Sequence, residues 1–100
     1  MIVYHLSPTI NRESIIKHGL IPKSKLGLTI SYDEPRIFVS STEEHAYAYA
    51  IDWIGYEFVD VFKFDVEIEM LHPDEFSGHI NHFFISESIP PGRLSLHESF

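Results

Sequence analysis

Tyr4-His5-Leu6-Ser7-Pro8, followed by Ser14-Ile15-Ile16-Lys17-His18-Gly19-Leu20-Ile21-Pro22, decides how this chain begins to fold. Ile2 to Leu6 is a short apolar run that reads as a strand. Asn11 has the side chain of a helix N-cap, and Ile10, Ile15, Ile16 and Leu20 supply one buried helix side. Gly19 provides the stop, since glycine takes a left-handed backbone without a Cβ penalty. The stretch therefore predicts a strand and then a helix of about two turns ending near Gly19.

Outward from there, residues 21–34 carry Pro22 and Gly27 and show no sustained period. They read as a long loop, and loops of that length in so small a domain tend to be functional. Ile37-Phe38-Val39-Ser40 is a second strand. Ser41-Thr42-Glu43-Glu44 matches the capping box in which Ser and Glu satisfy the first N–H groups of a helix. That helix is expected to run through Ala46, Tyr47, Ala48, Tyr49, Ala50, Ile51, Trp53 and Ile54 to Gly55. From Glu57 to Met70 the sequence alternates, with Phe58, Phe62, Phe64, Val66, Ile68 and Met70 on one face and Lys63, Asp65, Glu67 and Glu69 on the other. This predicts a long strand with a bend near Asp60. Pro73 and Gly78 mark a turn, Ile80 to Glu87 a further strand, and Pro90-Pro91-Gly92 a break before a last strand around Arg93 to Leu96. The order β-α-β-α followed by strands argues for α+β with a largely antiparallel sheet.

At 100 residues, 44% of them hydrophobic, the chain suits one domain over residues 1–100 with a modest core. It opens without a signal-peptide pattern and has no apolar run of bilayer length, so a soluble cytoplasmic protein with no membrane partner is expected. The absence of cysteine excludes disulfides, thiolate nucleophiles and cysteine-based metal sites. A formal charge of −8 disfavours general nucleic-acid binding. The basic residues nevertheless gather early, at Arg12, Lys17, Lys23, Lys25 and Arg36, which leaves room for a cationic rim opposite an acidic face.

Seven histidines raise the question of a metal. If residues 79–82 lie on one strand, His79 and His82 point to opposite faces, and His5 and His18 belong to separate elements. No metal is expected on this reading. Phe38, Tyr47, Tyr49 and Trp53 fit core positions as well as a ligand cleft. Tyr47 and Tyr49 cannot share a helix face, so at most one lines a cleft, and the spacing from Phe38 favours Tyr49.

Taken together, these segments resemble the ADP-ribosyltransferase fold, the group that includes diphtheria-type toxins, poly(ADP-ribose) polymerases, DarT-like DNA modifiers and RNA 2′-phosphotransferases. Tyr4-His5-Leu6-Ser7 resembles the family's first motif, in which a strand histidine hydrogen-bonds the ribose of NAD⁺. Ser14 to Pro22 resembles the second, and Arg36-Ile37-Phe38-Val39 through Ala46-Tyr47-Ala48-Tyr49 the third. The resemblance implies a small split antiparallel β-sheet with two helices, and an NAD⁺ cleft between half-sheets. His5, Leu6 and Ser7 would bind the ribose side, with Phe38 and Tyr49 flanking nicotinamide.

Two positions depart from the pattern. Phe38 stands where a tyrosine is expected, and the position of the catalytic glutamate falls at His82 or its neighbour Asn81, with Glu87 as a rival. His5 and His82 would then be the catalytic pair. The implied reaction is transfer of ADP-ribose from NAD⁺ to a macromolecular acceptor, a protein first, with loss of nicotinamide and without a metal. The alternatives are an inactive nucleotide-binding or acidic interaction module, and an RNA 2′-phosphotransferase-like activity with Arg12, Lys17 or Arg36 on a phosphate. Compact acidic members of the family suit toxins and phage defence or counter-defence factors.

Overall fold

The computed structural model describes residues 1–26, 30–49, 58–75 and 77–99. The elements in chain order are β1 (Ile2–Pro8), α1 (Arg12–His18), β2 (Lys23–Leu26), β3 (Ile30–Ser40), α2 (Glu43–Tyr49), β4 (Val59–Asp65), β5 (His72–Pro73), β6 (His82–Ile85) and β7 (Ser95–Ser99). The main sheet is antiparallel in the order β5-β6-β3-β1-β4-β7, with β2 paired to β3 outside that path. The α+β class expected from the sequence is what the chain adopts.

The sheet is unevenly joined. β1 pairs with β4 along its whole length, from Ile2 opposite Asp65 to Pro8 opposite Val59, whereas β1 and β3 share the single pair Tyr4–Ser40. The β1–β3 ladder is thus much shorter than the β1–β4 ladder beside it.

Side-chain alternation assigns the two faces. Val3, His5 and Ser7 lie beside Phe64, Phe62 and Asp60 on one face, and Tyr4 and Leu6 lie beside Lys63 and Val61 on the other. On the first face Val3, Val39, Ile37, Phe62, Phe64 and Ile85 pack with Ile15 of α1, Leu20 and Ile89. On the second, Leu6, Val59 and Val61 pack with Ala46 of α2. Thus α1 and α2 cover opposite faces.

Gly19 is the joint that seats α1. Its φ is +80° with ψ −168°, and a Cβ there would lie 2.0 Å from the Ile89 carbonyl oxygen. Immediately beyond it, Leu20 and Ile89 exchange two backbone hydrogen bonds of 2.9 Å. The glycine stop is found where it was expected, although the backbone goes straight into this pairing and not into an αL cap.

Several local readings change. Asn11 ends a 3₁₀ turn in the helical region and makes no capping bond, so the chain is already wound before α1 begins. Residues 23–26 and the first part of 30–40 form paired strands, with Lys23 opposite Arg36 and Leu26 opposite Ile30, where a loop over 21–34 was expected. Neighbouring strands supply the hydrogen bonds here, which a local period cannot reveal. The cap of α2 is Thr42: its Oγ1 accepts from the His45 N–H at 3.2 Å, while Ser41 turns away to Asn81. The predicted helix beyond Tyr49 falls outside the described residues.

The long predicted strand stops at Asp65, and Ile68–Met70 is a 3₁₀ turn with Ile68 exposed. Phe58, expected on the buried face, is exposed as well. Both sides of β4 are covered, so Val59 and Val61 are as buried as Phe62 and Phe64. The later strands are His82–Ile85 and Ser95–Ser99, shifted from the predicted bounds by the 3₁₀ turn Pro91–Arg93.

Candidate functional site

His5 stands on β1, beside its short pairing with β3. Its Nδ1 lies 2.6 Å from the backbone carbonyl of Phe38 on β3. A carbonyl only accepts, so Nδ1 carries the proton and donates. Nε2 is then a bare acceptor, with no hydrogen-bond partner among the described residues. Burial pushes the ring pKa down to about 4, against the opposing Phe38 bond and with help from the positive charge of Lys23. The imidazole is neutral at pH 7. Such a ring can receive a hydroxyl hydrogen but cannot act as a cation.

His82 lies on the opposite face. It pairs with Ser40, which in turn pairs with Tyr4, so these three share the α2 side while His5 faces α1. The structure does not bring His5 and His82 together on one face. His82 is buried, and both its nitrogens are engaged: Nε2–H donates to the His45 carbonyl at 3.1 Å, and Nδ1 accepts from the Ser77 hydroxyl. Its pKa is lowered chiefly by burial and further by His79 and His45, against the His45 carbonyl and Asp74. A neutral, doubly bonded imidazole offers no negative charge to an oxocarbenium-like centre.

A cluster that sequence reasoning missed surrounds it. The rings of His45 and His79 are 4.2 Å apart, centre to centre, and lie 5.7 and 5.1 Å from His82. His79 precedes β6 and opens a turn closed by the His82 N–H to His79 carbonyl bond of 3.1 Å. The expected separation of His79 and His82 onto opposite faces is therefore corrected, because the chain bends before the strand starts. Nothing in local spacing could have added His45, which arrives on α2.

The remaining predicted positions divide. Leu6 belongs to the small core under α2 and pairs with Val61 of β4, so its side chain is not available to a ligand. Ser7 is buried, with a long 3.5 Å bond from its hydroxyl to the Pro8 carbonyl. Phe38 is half-buried on the α2 face beside Phe84. Tyr49 ends α2, and its side chain lies outside the described residues. Glu87 is exposed beyond β6.

The candidate phosphate ligands have other partners. Arg12 grips the buried Asp60 through two bonds of 2.9 and 2.7 Å, and Ser99 donates to the same carboxylate at 2.6 Å. Arg12 is the chief reason the Asp60 carboxyl sits below the usual carboxylate range. Arg36 pairs with Glu75 at 2.8 Å and lies 3.9 Å above the Phe84 ring. Lys17 is exposed on α1.

Comparison of the chain with models of protein families, with curated proteins and with solved structures finds no match. Among the described residues no helix is long and apolar enough to cross a membrane.

Proposed function

We propose that the chain is an ADP-ribosyltransferase-like domain that binds NAD⁺ or a related nucleotide at the split between β1 and β3. The observation that carries this reading is the acceptor Nε2 of His5. Its ring is fixed by the Phe38 carbonyl, neutral at pH 7, and placed beside the short β1–β3 pairing. A ribose hydroxyl is the kind of donor such a nitrogen takes. The uneven joining of the sheet supports the same reading, since two half-sheets with a cleft between them are what the sequence motifs imply.

Binding without efficient transfer is the form the geometry favours. His82, at the position of the catalytic glutamate, is neutral and already bonded on both sides, and Arg12 and Arg36 are paired with Asp60 and Glu75. These contacts speak against both His82 catalysis and a phosphotransferase clamp. The expected role is a nucleotide-binding module, with an acceptor macromolecule relevant only if transfer occurs.

His5→Asn tests the reading because an asparagine amide can replace Nδ1–H toward Phe38 but brings no nitrogen to the place of Nε2. Calorimetry should give heat with NAD⁺ for the wild type and about tenfold weaker binding for the folded variant, the loss of one hydrogen bond. A folded wild type that gives no heat at millimolar NAD⁺ ends the proposal. Nicotinamide release, if measurable, should be insensitive to His82→Gln.

A further inference from the structure

A second cluster lies at the far edge of the sheet, away from both His5 and His82. β7 pairs with β4 through Asp60–Ser99, Val61–Glu98, Phe62–Leu96 and Lys63–Ser95. One step on β4, from Val61 to Phe62, corresponds to two on β7, so His97 is the extra residue of a β-bulge. On a regular strand His97 and Glu98 would face opposite ways; a bulge re-aims side chains and lets neighbours share a face. Here the shared face is the one that α2 covers. Glu98 lies opposite Val61, which packs under α2, and the His97 ring meets the edge of Tyr4 at 5.5 Å and 64°.

The first residue of α2 completes the group. His97 Nε2 lies 3.1 Å from Glu43 Oε2, and one ligand atom from each of Glu43, His97 and Glu98 lies within 4.8 Å of the other two. The three come from two elements joined by no common turn. We infer that they form a binding site for a divalent transition-metal ion of the zinc class, which would clamp the start of α2 to the edge strand β7.

The donor set decides the class of ion. One imidazole nitrogen and two carboxylate oxygens suit zinc and its first-row neighbours, whereas magnesium and calcium favour oxygen ligands alone. Zinc bonds of about 2.0–2.1 Å place tetrahedral ligands roughly 3.3 Å apart. Glu98 is exposed and Glu43 half-exposed, and an ion would draw the three ligand atoms closer than the 4.8 Å within which they already lie. Binding replaces the proton shared between His97 and Glu43, and it brings a positive ion to a chain whose formal charge is −8. The partial exposure leaves positions on the ion open to water or to a further ligand.

The test uses zinc chloride alone, with magnesium chloride as the control. Calorimetry should show one zinc ion bound per chain, and at a hundredfold excess over Kd zinc should raise Tm by about 10 °C, with no such rise from magnesium. His97→Ala, a partly exposed substitution with little cost to folding, should abolish the rise and weaken binding about a hundredfold; Glu98→Gln should weaken it less. Absence of a zinc-dependent rise in the wild type would overturn the site. So would a rise that persists in His97→Ala and vanishes in His45→Gln, since that result moves the ion to the other histidine cluster.

Discussion

On the α1 face Val3, Ile15, Leu20, Ile37, Val39, Phe62, Phe64, Val66, Ile85 and Ile89 form one continuous apolar core, whereas on the α2 face the described core is Leu6, Ala46, Val59 and Val61. Around that smaller core stand His45, His79, His82 and His97, with Ser77, Asn81 and Glu43 bonded among them. Stability in so small a domain follows buried apolar area, and chemistry follows polar groups held at fixed distances. One face of this sheet is spent mainly on the first and the other mainly on the second. His5 and the Arg12-paired Asp60 are the exceptions, titratable groups on the apolar face.

The comparison is broken most severely at Gly19. Alanine there meets the Ile89 carbonyl and a positive φ together, and should cost more than about 3 kcal/mol in chemical denaturation. A change under 1 kcal/mol would mean that α1 is not seated by the Leu20–Ile89 pairing. Next comes Asp60, the buried charge on the α1 face. Asp60→Ala leaves Arg12 without its carboxylate and should cost about 3 kcal/mol, the lower end of the range for a broken buried pair because Arg12 reaches solvent.

A gentler probe separates the two faces by pH. The folded pKa of His5, about 4, lies below the ordinary histidine value of 6.5, so the unfolded chain takes up the proton first. This contribution is complete above pH 6.5 and is lost as pH falls toward 4. The loss should be roughly 2 kcal/mol once the residual solvent access of the partly buried ring is allowed for. His82, also lowered, adds in the same direction from the other face. Unfolding curves at pH 7 and pH 4.5 should therefore converge partly in His5→Asn and partly in His82→Gln. If neither substitution narrows the gap, acid sensitivity arises elsewhere.

Much of the α1 face was legible in the sequence. Ile2 to Leu6, Ile15 of α1, Gly19 and Phe62 and Phe64 of β4 carry local signals of strand, helix and stop, whereas Ile10 and Ile16, expected on the buried helix side, are exposed. β2 was not legible, because Lys23-Ser24-Lys25-Leu26 has no period of its own and is a strand only through its pairing with β3. The capping box was read one residue early: Thr42, not Ser41, meets the helix. On the α2 face the site groups converge from residues far apart in the chain, as with His45 and His82 or Glu43 and His97. Spacing rules cannot see such meetings, and at His97 the strand rule itself is suspended by the bulge.

The Leu20–Ile89 pairing also bears on the order in which the molecule assembles. It ties an early segment to a late one, so closing it requires most of the intervening chain to be in place or to lose its freedom at once. Contacts of that kind form after the folding transition state more often than before it. Strengthening this one should slow unfolding far more than it hastens folding, which makes the seat of α1 a control on how long the native state lasts.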